Sequence, residues 1–187
     1  MNKKLNLFWN NLEQKAKKYK ISKNQKEKTF SNFLTKIKNA KKSVYLFGLN
    51  FPNYMTNSND KIFMALKYLD KNNPSVKVRV FIPNLKIKNY IETISIYPHK
   101  YNTLRRDWNK LQDFTNDFKN LNIKVITYNK FINFGFSVID IEDNKNSFIH
   151  ISKVIKNQNI KDAEFYNIEK DKSVNYLIKK IVKDMEK

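Results

Sequence analysis

The chain has 187 residues, with 37 Lys+Arg against 17 Asp+Glu, two glycines and no cysteine. That length fits one domain burying about two thirds of its unfolded surface, so no covalent staple is needed. The absence of cysteine excludes disulfides, thiolate metal sites and a cysteine nucleophile, and it fits a reducing compartment.

The N-terminal MNKKLNLFWNNLEQ holds no apolar run of signal-peptide length. No stretch approaches the roughly 20 apolar residues of a membrane span. A soluble, cytoplasmic protein is expected. The formal net charge is +20, and thirteen of the 37 bases but only two of the 17 acids lie in residues 1–42. AT-rich coding would raise lysine throughout the chain. Concentration in one segment points instead to a basic surface that attracts a polyanion.

In chain order, Leu5, Phe8, Leu12, Ala16 and Tyr19 make one helical stripe over residues 4–20. Phe30, Phe33, Leu34, Ile37 and Ala40 make another over 25–40. Residues 1–42 are therefore expected as a basic N-terminal helical pair, packed on or appended to an α/β domain spanning 43–187. SVYLFGL (43–49) suits a strand buried on both faces. Ile62, Phe63, Leu66 and Leu69 predict a helix over 60–71, capped by Ser58 or Asn59 and ended before Pro74. VKVRVFI (76–82) alternates as a second strand. A short helix is suggested between 83 and 98, and a long one over 102–121 by Leu104, Trp108, Leu111, Phe114, Phe118 and Leu121. IKVITY (123–128) is a third strand. GFSVIDI (135–141) and SFIHIS (147–152) form a hairpin, and Val174, Leu177, Ile178, Ile181, Val182 and Met185 mark a last helix over 172–186. Strands alternating with helices predict an α/β fold with a mixed, mainly parallel sheet flanked by helices.

Two glycines cannot build a Gly-rich phosphate loop, and two distant histidines, His99 and His150, give no zinc motif. No metal site and no cofactor are expected. The dense acids Asp140, Glu142 and Asp143 could hold a hard cation, but a solvated hairpin turn explains them better.

KIKNAKKSVYLFGLNF, then LDKNNPSVKVRVFIP, then LNIKVITYNKFINFGFSVIDIED together resemble a phospholipase D-like half-domain. The resemblance implies a strand following the third strand that bears the signature His-x-Lys-x-x-x-x-Asp. The matching segment keeps the acid as Asp140 but holds Asn133 at the histidine position and Gly135 at the lysine position. In that family the histidine is the phosphoryl-accepting nucleophile and the lysine stabilises phosphate charge. Asparagine and glycine supply neither, so the resemblance implies a degenerate, non-catalytic site. His150 is the backup catalytic candidate, although it lies one strand too late and an ordinary strand histidine is the simpler reading. Halves of this family pair with motifs facing one another, which implies a homodimer. Loss of the signature removes the catalytic reason for pairing.

The expected function is thus a binding or regulatory module for a polyanion, foremost the nucleic-acid backbone. The expected contacts are Lys15, Lys17, Lys18, Lys20, Lys41, Lys42 and the pair Arg105–Arg106. With three arginines among 37 bases, backbone contact with little base reading is anticipated. Loop aromatics Tyr54, Tyr97, Tyr101 and Phe131 could stack on bases. The alternatives are a phosphodiesterase or nuclease with a reorganised site using Asp140 and His150, and peripheral binding to anionic membrane through residues 4–20.

Overall fold

The computed structural model describes residues 10–12, 14–22, 25–47, 61–83, 115–128, 134–153 and 164–185. Within them the chain forms one six-stranded sheet with helices on both faces. The helices are α1 (Lys26–Lys38), α2 (Lys61–Asn72) and α3 (Lys172–Met185). The strands are β1 (Ser43–Phe47), β2 (Lys77–Pro83), β3 (Asn122–Tyr128), β4 (Phe134–Ile139), β5 (Phe148–Lys153) and β6 (Glu164–Glu169). Their spatial order is β3-β2-β1-β4-β5-β6. β1, β2 and β3 run parallel, and β4, β5 and β6 continue the sheet through antiparallel pairings.

This is the mixed α/β sheet the alternating pattern predicts, with one strand more than expected. β6 adds a third antiparallel pairing to set against two parallel ones. Its sequence, EFYNIE, carries two acids and an asparagine. Among its described side chains Tyr166 and Ile168 face the core, which is enough for an edge strand but too little to stand out as alternation.

β1 is buried at all five positions, as a central strand with helices on both faces must be. Its even residues Val44 and Leu46 join Phe33, Ile37, Leu66 and Leu69, the inward stripes of α1 and α2. Its odd residues Tyr45 and Phe47 join Leu12, Ala16, Val174, Ile178 and Val182 on the other face. The two basic N-terminal segments therefore straddle the sheet. Residues 10–12 and 14–16 are helical, Lys17–Tyr19 is a 3-10 turn, and this stretch packs beside α3. The chain then passes β6, where Lys20 bridges to Tyr166, before α1 covers the opposite face.

Of the suggested helix between 83 and 98, Pro83 ends β2 and residues 84–98 lie outside the described residues, as do residues 102–114 of the long one and the cap candidates Ser58 and Asn59. The end of the long one is not α-helical: Thr115–Asp117 is a 3-10 turn. Phe118 and Leu121 still pack in the α1–α2 core, so the periodicity identified core positions although the conformation differs.

Candidate functional site

β4 carries Gly135 near one end and is followed by Asp140 at the other, and the two ends face different surroundings. Gly135 lies near the first end, in register with Ser152 of β5. This end adjoins the carboxyl ends of the parallel strands, since Phe136 pairs with Phe47. That edge of an open α/β sheet is where ligands generally bind. Asn133, Arg105, Arg106, Tyr54, Tyr97, Tyr101 and Phe131 lie outside the described residues.

Asp140 follows the last residue of β4 at the opposite end, five residues or about 16 Å along the strand from Gly135. It is 3% exposed. Its backbone sits at φ 50°, a left-handed conformation that aspartate tolerates better than most residues. The carboxylate accepts three consecutive amides at the start of β1. Oδ1 takes N–H bonds from Lys41 (3.0 Å), Lys42 (2.7 Å) and Ser43 (3.0 Å), and Oδ2 takes a second contact from Lys41 (2.9 Å). Asp140 also donates its own N–H to the Ser43 carbonyl (2.8 Å). The expected solvated turn is corrected here: Asp140 is a buried clamp joining β4 to β1.

Its neighbours extend that clamp. Glu142 accepts from the Ser43 hydroxyl and from the Tyr45 hydroxyl (3.0 Å). Asn73 donates its side-chain N–H to the Ala40 carbonyl (2.9 Å). Asp143 accepts from Lys145 N–H (2.9 Å) and the Asn146 amide (2.7 Å), and these bonds hold its carboxyl below the ordinary range. Among the described residues no group of acids and histidines could hold a metal ion.

His150 sits mid-strand in β5, between Ser137 of β4 and Asn167 of β6. Nδ1–H donates to Asn167 Oδ1 (2.7 Å), and the ring stacks on Phe33 at 5.2 Å. Burial pushes its pKa below the ordinary value, and the Asn167 bond only partly opposes that. His150 and Asp140 thus point to different partners, and these bonds do not bring them together.

The basic candidates divide into two groups. Lys15, Lys17, Lys18 and Lys20 are exposed on the segment beside β6 and α3. Lys18 Nζ pairs with Asp171 at 3.3 Å, and the Tyr19 hydroxyl donates to the same carboxylate (2.9 Å). Asp171 also caps α3 by accepting from Ser173 N–H (3.0 Å) and Val174 N–H (3.1 Å). Burial alone would raise its pKa, but these donors outweigh it and hold the carboxyl far below the usual range. Lys41 and Lys42 are exposed at the start of β1. β4, β5 and β6 lie between β1 and the Lys20 bridge, so four strand spacings, about 19 Å, separate the two groups.

Sequence reading missed one basic strip. Lys172, Tyr176, Lys180 and Lys183 are all exposed along α3, and they recur at intervals of three or four. Tyr176, 69% exposed, is the most exposed large hydrophobic side chain among the described residues. The signal was available: these residues fall opposite the apolar stripe of the last helix.

No protein-family model matches the chain, and no curated protein matches it. Solved structures do. NucT from Helicobacter pylori superposes at a TM-score of 0.50 with 16% identity, covering 86% of this chain and 89% of that one. TrmBL2, described as an archaeal chromatin protein with a novel mode of DNA binding, matches at a TM-score of 0.44 with 14% identity. That match covers 82% of this chain and 46% of TrmBL2, so the chain spans less than half of TrmBL2's length. At 16% identity, the likeness to NucT is a likeness of fold.

Proposed function

We propose that the protein is a non-catalytic, phospholipase D-like binding or regulatory module whose partner is the nucleic-acid backbone. The observation that carries this reading is the direction of its carboxylates. Asp70 accepts from Asn120 N–H (2.8 Å) and Leu121 N–H (2.7 Å), and Asp140 from the Lys41–Ser43 amides. Asp143 and Asp171 accept from their own turns. These four acids hold the frame. Among the described residues no lysine is buried and most are exposed, so their charge is expressed at the surface. A field of that sign favours phosphate contact and speeds encounter.

The motif positions support the non-catalytic half of the reading. The one acid retained from the signature, Asp140, has a structural task. The positions that would do chemistry hold Asn133 and Gly135. An enzyme built on Asp140 and His150 would have to release Asp140 from the amides that occupy both its oxygens.

The test pairs two assays on the full chain. Mobility shift with a 30-nucleotide single strand and its duplex should show binding to both with little sequence preference. Incubation with bis(p-nitrophenyl) phosphate and with the same oligonucleotides should show no turnover. Turnover lost in His150→Ala would overturn the non-catalytic reading. Binding to anionic vesicles but not to nucleic acid would replace the partner.

A further inference from the structure

We infer that the outer face of α3 is a single-strand contact strip in which Tyr176 stacks on a base and Lys172, Lys180 and Lys183 meet the flanking phosphates; this rests on the polyanion reading above. At 100° per residue, Val174, Ile178, Ile181 and Val182 form the buried side of α3, and Tyr176 falls near the middle of the opposite side. Lys172 lies one turn before it, Lys180 one turn after and Lys183 nearly two turns after. The strip spans about 16 Å. Among the described residues its only exposed acid, Asp184, lies at the margin.

Two further observations favour this face. At 69% exposure, the Tyr176 ring is open to a flat partner. Tyr68, the exposed tyrosine on α2, carries the Lys38 ammonium 5.9 Å from its ring centroid and is less exposed at 47%. The α3 strip also continues into other lysines. The Tyr19–Asp171 bond and the Lys18–Asp171 ion pair fix the 10–19 segment to the start of α3, with Lys15, Lys17 and Lys18 exposed beside it. An aromatic set among lysines is the arrangement that binds single strands without reading sequence. Stacking supplies affinity from any base, and the lysines track the backbone.

The experiment measures fluorescence anisotropy of a labelled 15-nucleotide thymidine strand and of an abasic strand of equal length. Wild type should prefer the thymidine strand by about tenfold, the worth of one stacked base. Tyr176→Ala should remove that preference, and Tyr176→Phe should retain it. The double variant Lys180→Glu/Lys183→Glu should weaken both strands and reduce the salt slope by about 1.4, from two lost phosphate contacts. Circular dichroism checks that these exposed replacements stay folded. If wild type binds both strands with steep salt dependence while every variant behaves as wild type, the strip is wrong and the polyanion reading stands. If wild type binds neither strand, both fall. A Tyr176-dependent attachment to anionic vesicles that displaces the strand overturns the strip in favour of lipid.

Discussion

The two ends of β4 differ in what their residues do. At the Asp140 end, one carboxylate collects three amides of the neighbouring strand, and Glu142 and Asn73 tie down the adjoining chain. At the Gly135 end the strand reaches the carboxyl edge of the parallel strands, where a ligand would be met. Asp140 therefore belongs to the frame, whereas Gly135 adjoins the open edge of the sheet.

Substitutions at both ends should separate these roles, the Asp140 end giving the larger effect. Asp140→Ala strands three amides and should lower unfolding free energy by at least about 3 kcal/mol, read from urea denaturation. Asp140→Asn should cost less, because its Oδ1 still accepts. Gly135→Ala should change stability by under about 1 kcal/mol. An equal loss at the two positions would break the contrast.

Asp171→Ala removes a helix cap together with the Tyr19 and Lys18 contacts, and about 2 kcal/mol should be lost. Tyr19→Phe should recover most of the wild-type value, since the cap remains. A smaller effect is expected from pH. Burial opposes ionisation of Asp70 and Asp171, but N–H donors outweigh it and both pKa values are depressed. Their contribution is present above the unfolded pKa near about 4 and is lost as pH falls further. His150 also has a depressed pKa, here because burial disfavours the cation. The unfolded chain then binds the extra proton, so stability falls as pH drops below about 6.5. Urea midpoints at pH 7.5 and 5.5 should differ in wild type and converge in His150→Gln. Lys41→Ala and Lys42→Ala should be the mildest, within about 0.5 kcal/mol, because Asp140 binds the amides and not the side chains.

Much of the fold was legible because burial leaves a period in the sequence. SVYLF reads as a central strand, and the stripes of α1, α2 and α3 identify their inward faces. Periodicity does not say which face of a sheet a helix covers. The adjacent basic segments thus gave no sign that they lie on opposite sides. β6 was missed because Asn167 and Glu169 break up the core contribution of Tyr166 and Ile168. The role of Asp140 was not legible because its partners lie up to 99 residues earlier, and a clamping aspartate is spelled like a solvated one. Tyr176 was readable in principle, as an aromatic on the polar side of a helix.

The salt dependence of nucleic-acid binding tests the central claim most directly. Exposed lysines on the described surface require binding driven by counterion release. The logarithm of the association constant for a single strand should fall linearly with the logarithm of salt concentration, by about 0.7 per phosphate contact. An affinity that stays flat between 50 and 200 mM salt, or no binding at 50 mM, would contradict the account.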